Sequence, residues 1–128
     1  MRVVQCAVIT VSDRCAAGER EDRSGPVLAG ALREAGHDVT GYLVPDGAES
    51  VGSALREALA AGALLIVTTG GTGVGPRDRT PEGTRAVLDR YAAGGGAYRE
   101  VVYDNCGHSP HIERPADFTA ELLALVNG

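Results

Sequence analysis

Residues 3–11 read VVQCAVITV, a nearly unbroken run of apolar and β-branched side chains. That pattern is expected of a strand covered on both faces, which belongs in the middle of a sheet and not at its rim. Downstream, residues 12–23 turn polar and highly charged, and an amphipathic helix is predicted from Ser24, with Val27, Leu28, Ala31, Leu32 and Ala35 on one face and Gly36 as its stop. Residues 38–44 alternate more, which suits a strand with one wetter face, and Pro45-Asp46-Gly47 ends it with turn chemistry. A second helix is predicted from the three- and four-residue spacing of Val51, Ala54, Leu55, Ala58 and Leu59, ending at Gly62. Residues 63–69, ALLIVTT, form another fully apolar strand. Strands alternating with amphipathic helices make parallel βαβ units, so the expected fold is α/β: a three-layer sandwich around a mostly parallel sheet. In such sheets ligands sit beyond the carboxyl ends of the strands, which directs attention to the segments just after Val11, Val44 and Thr69.

A chain of 128 residues, 44% of them hydrophobic, is the size of one globular domain. Its net charge of −5 argues against nucleic-acid and anionic-membrane partners, so any phosphate must be held locally. Cys6, Cys15 and Cys106 are odd in number and widely spaced, which suggests neither a disulfide framework nor a structural zinc site. No basic segment leads into an apolar stretch near Met1, and no apolar run approaches a membrane span. The expectation is a soluble, cytoplasmic protein.

The third strand runs directly into Gly70-Gly71-Thr72-Gly73, then Val74-Gly75-Pro76-Arg77-Asp78-Arg79-Thr80-Pro81-Glu82 and a helix. Glycines let a ligand approach the backbone and leave N–H groups free to converge on phosphate oxygens. Thr80 and Pro81 suit the N-cap and first position of the helix, whose dipole adds to an anion site, and Glu82 suits its first turn. No Lys-Ser/Thr comes after Gly73, so this is not a Walker A loop, and no dinucleotide fingerprint is present.

The string TTGGTGVGPRDRTPE, residues 68–82, closely resembles the signature of the molybdopterin-binding proteins, which include the molybdopterin adenylyltransferases. Two further segments match: Ser12-Asp13-Arg14 with Gly18, Asp22, Ser24 and Gly25, and Val44-Pro45-Asp46. The resemblance covers residues 1 to about 90. It implies an enzyme of molybdenum-cofactor biosynthesis that transfers AMP from Mg-ATP to molybdopterin, acting as a homotrimer without nucleic-acid or membrane partners. It further implies that Gly70, Gly71, Thr72 and Gly73 hold the pterin phosphate and that Asp46 and Asp78 are catalytic, with Mg²⁺ as their candidate metal. Ser12, Asp13, Arg14, Thr69, Arg77, Thr80, Pro81 and Glu82 complete the candidate ligand-binding set, Arg77 or Arg14 neutralising phosphate charge.

Beyond Asp89-Arg90 the sequence departs from the family, without its late strand and second proline-glycine loop. Residues 92–97, AAGGGA, read as a flexible joint between a molybdopterin-binding-like part (1–91) and a strand, loop and helix (98–128), all within one domain. That last part resembles the catalytic-histidine segment of α/β hydrolases around GHSPHIERP, residues 107–115, so the chain reads as a fusion or a truncated member. No G-x-S-x-G elbow supplies a nucleophile for His108, which makes an esterase the weakest of three readings. His108 and His111 without a third ligand make a poor metal site. Between the other two, an adenylyltransferase leads, and a non-catalytic module that binds molybdopterin or another phosphorylated ligand is the alternative.

Overall fold

The computed structural model describes residues 3–70 and 75–95. The element order is β1 (Gln5–Val11), α1 (Asp13–Ala16), α2 (Ser24–Glu34), β2 (Asp38–Val44), α3 (Ala48–Ala60), β3 (Leu65–Thr69) and α4 (Thr80–Ala93). The strands form a parallel sheet in the order β2-β1-β3, with Cys6 opposite both Val39 and Leu65 and Thr10 opposite both Leu43 and Thr69. The expected α/β sandwich is therefore present, and β1 lies between two hydrogen-bonded neighbours. Because β2 and β3 flank β1 on opposite sides, right-handed crossovers send α2 to one face and α3 to the other.

Two apolar layers result from the period-two alternation of β1. On one face Val4, Cys6 and Val8 meet Leu28, Ala29 and Leu32 of α2. On the other, Ile9 and Val11 meet Val51, Ala54 and Leu55 of α3 and Val87 of α4. Ile9 and Leu32 are 0% exposed, and burial of such a side chain is worth about 1.5–3 kcal/mol. Gly83 lets α4 come close to the start of α3, because a Cβ there would stand 2.6 Å from the Ala48 carbonyl oxygen.

Four details differ from the sequence-based expectation. Residues 13–16, expected only as a polar stretch, form the short helix α1, nucleated by Ser12, whose Oγ accepts from the Cys15 N–H at 3.3 Å. The buried face of α2 is Gly25, Leu28, Ala29 and Leu32, while Val27 is 58% exposed and Ala31 is also solvent-facing. β3 begins at Leu65, and all its residues are half-buried instead of enclosed, since among the described strands only β1 pairs with it. Ala92 and Ala93 are helical, so the expected joint at 92–97 begins no earlier than Gly94, the C-cap of α4. The expectations for residues 98–128, including His108, His111 and the strand, loop and helix, lie outside the described residues.

Candidate functional site at the carboxyl edge of the sheet

All three polar segments singled out in the sequence emerge at one edge. Ser12 N donates to the Val44 carbonyl at 2.9 Å, which joins the exits of β1 and β2. Next to it, Asp13 and Asp46 clasp each other: Asp13 N donates to Asp46 Oδ2 at 3.2 Å, and Asp46 N donates to Asp13 Oδ1 at 3.1 Å. Arg77, from the loop after β3, closes the arrangement. Its Nε donates to Asp13 Oδ2 at 2.8 Å and its Nη2 to Asp13 Oδ1 at 3.0 Å, the bidentate fork that matches a carboxylate. The same Nη2 also donates to the Asp46 carbonyl at 3.0 Å.

The donation from Arg77, with smaller help from Asp46, holds the Asp13 carboxyl below the usual aspartate range, and the hydrogen bonds to Asp13 raise the Arg77 guanidinium in turn. Asp46 is left in an unusual state. Its Oδ2 is engaged, but its Oδ1 is buried without a hydrogen-bond partner among the described residues. A buried carboxylate oxygen with no donor is costly, and a donor or cation brought by a ligand would relieve it.

Both rims of the glycine loop are anchored. On the strand side, Thr80 Oγ1 donates to the Gly70 carbonyl at 2.9 Å and Thr69 Oγ1 donates to Ser24 Oγ at 3.3 Å. Gly70 has a φ of +92°, and a Cβ there would collide with the Val11 carbonyl oxygen, so glycine is required twice over. On the helix side, Gly75 N donates to Asp78 Oδ2 and Asp78 N to the Gly75 carbonyl, both at 3.1 Å. Gly71, Thr72 and Gly73 lie outside the described residues.

Thr80, expected as the N-cap of α4, is instead the first helical residue, 3% exposed, and its hydroxyl holds the glycine loop. Arg79 takes the N-cap position without a capping side chain and pairs with Glu82 at 3.5 Å on the surface, and Pro81 is the second helical residue, one position later than expected but still in the first turn. Arg14 is exposed, and no hydrogen bond or ion pair ties its side chain among the described residues. Sequence reasoning missed the work of Thr10 and Asp22. Thr10 Oγ1 donates to Asp22 Oδ2 at 3.0 Å, and Asp22 Oδ1 accepts from Gly25 N at 3.1 Å, which caps α2 from outside. The available signal was a threonine inside an otherwise apolar strand.

The donor set suits Mg²⁺ only in part. Asp46 Oδ1 is a free hard oxygen, whereas both Asp13 oxygens are taken by Arg77, and no group of three His, Cys, Asp or Glu is placed to hold a metal among the described residues. That fits a Mg²⁺ that takes most of its ligands from phosphate and water.

The chain matches the family model described as "Probable molybdopterin binding domain" over residues 7–123. It is 42% identical over 107 residues to a molybdopterin adenylyltransferase of Pyrococcus furiosus, covering 84% of this chain and 63% of the relative. It is 37% identical over 119 residues to molybdenum cofactor biosynthesis protein B of Bacillus cereus, covering 87% and 67% of the two chains. Among solved structures, the tungsten cofactor synthesizing protein MoaB from Pyrococcus furiosus superposes with a TM-score of 0.63 at 37% identity, covering 74% of this chain and 67% of that one. The chain thus spans less than two thirds of the Pyrococcus adenylyltransferase's length. The model match continues to residue 123, past the boundary near residue 90 drawn from the sequence, and the hydrolase likeness of the tail gains no support from it. With a match over most of its length and a signature loop held at the carboxyl edge of the expected sheet, this chain belongs to the molybdopterin-binding domain family.

Proposed function

We propose that the protein is a molybdopterin adenylyltransferase of molybdenum-cofactor biosynthesis. A phosphate oxygen of molybdopterin attacks the α-phosphorus of ATP, the bond from that phosphorus to the β-bridging oxygen breaks, and pyrophosphate leaves. Gly70, Gly71, Thr72 and Gly73 offer backbone N–H groups to phosphate, with Thr69 and Thr80 holding the loop's entrance. Asp46 and Asp78 serve the reacting centre, Asp46 through Oδ1, and a Mg²⁺ carried in by the nucleotide would screen phosphate charge there. Arg14 supplies a guanidinium that has no partner among the described residues. The protein acts in the cytoplasm as a homotrimer on these small molecules. Among the described residues no helix is long and apolar enough to cross a membrane.

The observation that carries this reading is Asp46 Oδ1, buried without a hydrogen-bond partner among the described residues at the sheet edge where the glycine loop is anchored. Incubation of the full chain with molybdopterin and Mg-ATP, followed by chromatography for adenylylated molybdopterin and pyrophosphate, tests it. Product in amounts proportional to enzyme is expected. Tight molybdopterin binding without product would replace the enzyme by a binding module.

A further inference from the structure

We propose that Asp13 and Arg77 form a positioning pair for Asp46 and are not part of the phosphate cradle. This rests on the reading of Asp46 as a reacting-centre carboxylate. Three observations converge on it. Arg77 spends Nε and Nη2 on the two oxygens of Asp13, and Nη2 again on the Asp46 carbonyl, so its charge is already met by a carboxylate. Asp13 in turn accepts from Asp46 N and donates its own N–H to Asp46 Oδ2. The backbone N–H, the carbonyl and Oδ2 of Asp46 are thereby fixed, and Oδ1 alone is left. A carboxylate held at its N–H, its carbonyl and one oxygen presents the other oxygen in one direction, which is what preorganisation requires.

The pair also links chain segments 64 residues apart, so the loop after β3 and the segment after β1 take one relative position, and the bond from Arg77 to the Asp46 carbonyl brings in the turn after β2. A phosphate seeking a cation at this edge meets Arg14, unpaired among the described residues, while Arg77 would first have to leave Asp13.

The test uses the full chain with Arg77→Gln, Asp13→Asn and their double variant. Turnover is expected to fall on the order of tenfold or more in each single variant, with KM for molybdopterin and for Mg-ATP within about threefold of the parent. The double variant is expected to be little worse than either single one, as for two residues acting as a unit. A rise in KM on the order of tenfold in Arg77→Gln with kcat unchanged, or additive losses in the double variant, would overturn the proposal and make Arg77 a phosphate ligand.

A readout independent of turnover separates this proposal from the activity it rests on. In ¹H–¹⁵N spectra at neutral pH, the Asp46 amide is expected to shift both in Asp13→Asn and in Arg77→Gln, with the double variant matching Asp13→Asn. An Asp46 amide indifferent to both substitutions would refute the pair even in a fully active enzyme. The coupled shift in a chain without turnover would uphold the pair while the proposed activity fails.

Discussion

The two edges of the sheet each leave one buried polar atom without a partner among the described residues: His37 Nε2 at the amino edge and Asp46 Oδ1 at the carboxyl edge. Their surroundings differ. At the amino edge, the bonds close the fold on itself: Val4 N donates to His37 Nδ1 at 3.2 Å, Asp38 N to the Val4 carbonyl at 3.3 Å, and Leu64 N to the Gln5 carbonyl at 2.9 Å. His37 acts there as an acceptor for the start of β1, with the residue 4% exposed. At the carboxyl edge, Asp13, Asp46 and Arg77 from three segments clasp one another, and the group left over is a carboxylate oxygen at the edge from which the glycine loop leaves β3. An orphaned imidazole N–H costs the fold a modest amount, whereas an orphaned carboxylate oxygen invites a cation or a donor. On the proposed reading, one edge serves stability and the other receives a ligand.

The strongest attempt to break this contrast is Asp46→Ala. Turnover of molybdopterin and Mg-ATP is expected to fall on the order of 10²-fold or more, as when one oriented electrostatic group is removed. Urea unfolding should show a smaller loss of stability, because the Asp13 N–H loses its Oδ2 acceptor while the buried, unpartnered Oδ1 disappears with the same side chain. Full turnover in this variant would end the assignment of Asp46 to the reacting centre.

His37→Ala should do the reverse. The Val4 N–H loses its acceptor, so stability should drop by about 1–3 kcal/mol in urea titration, while turnover per folded molecule is unchanged. A variant as stable as the parent would show that the amino edge does not need that bond. Gly83→Ala bears on the frame beneath both edges. Its methyl group meets the Ala48 carbonyl, so α4 must shift from α3 at a cost of about 1–3 kcal/mol, readable as a lower denaturation midpoint.

The smallest effect concerns acid. Asp13 has a lowered pKa in the folded protein, so its contribution to stability is full above the ordinary aspartate value of about 4 and is lost as pH falls through the lower folded value. The stability difference between the parent and Arg77→Gln should thus be constant near neutrality and shrink below about pH 4. A difference that grows on acidification would contradict the sign assigned to this pair.

Much of this was legible in the residues because it is local. The run at 3–11, the helical spacing after Ser24 and Ala48, and the stops at Gly36 and Gly62 depend on neighbours in sequence, and each element appears where the pattern put it. What was not legible depends on partners far along the chain. ALLIVTT looks as buried as VVQCAVITV, yet β1 is enclosed by two strands and β3 is half-exposed, because enclosure is decided by neighbours in space. Val27 lies at helical spacing with Leu28 and Ala31, but the sheet meets α2 along Leu28, Ala29 and Leu32. The candidate residues Ser12, Asp13, Asp46, Arg77 and Asp78 were each visible as loop polar groups, and their gathering at one edge came from the parallel topology. The fork of Arg77 on Asp13 and the use of Thr80 as a tie to Gly70 were not visible, since no local rule pairs residues so far apart.

The central claim is that the carboxyl edge, and not the amino edge, receives the ligand. Titration of the ¹⁵N-labelled full chain with molybdopterin tests it by mapping the amides that move. The expected result is that the shifts concentrate at Asp13, Arg14, Asp46, Thr69, Gly70, Asp78 and Thr80, with Val4, His37, Asp38 and Leu64 unmoved. Shifts centred on the amino edge, or on the groove of Arg56, Leu59, Val87, Arg90 and Tyr91 between α3 and α4, would contradict it.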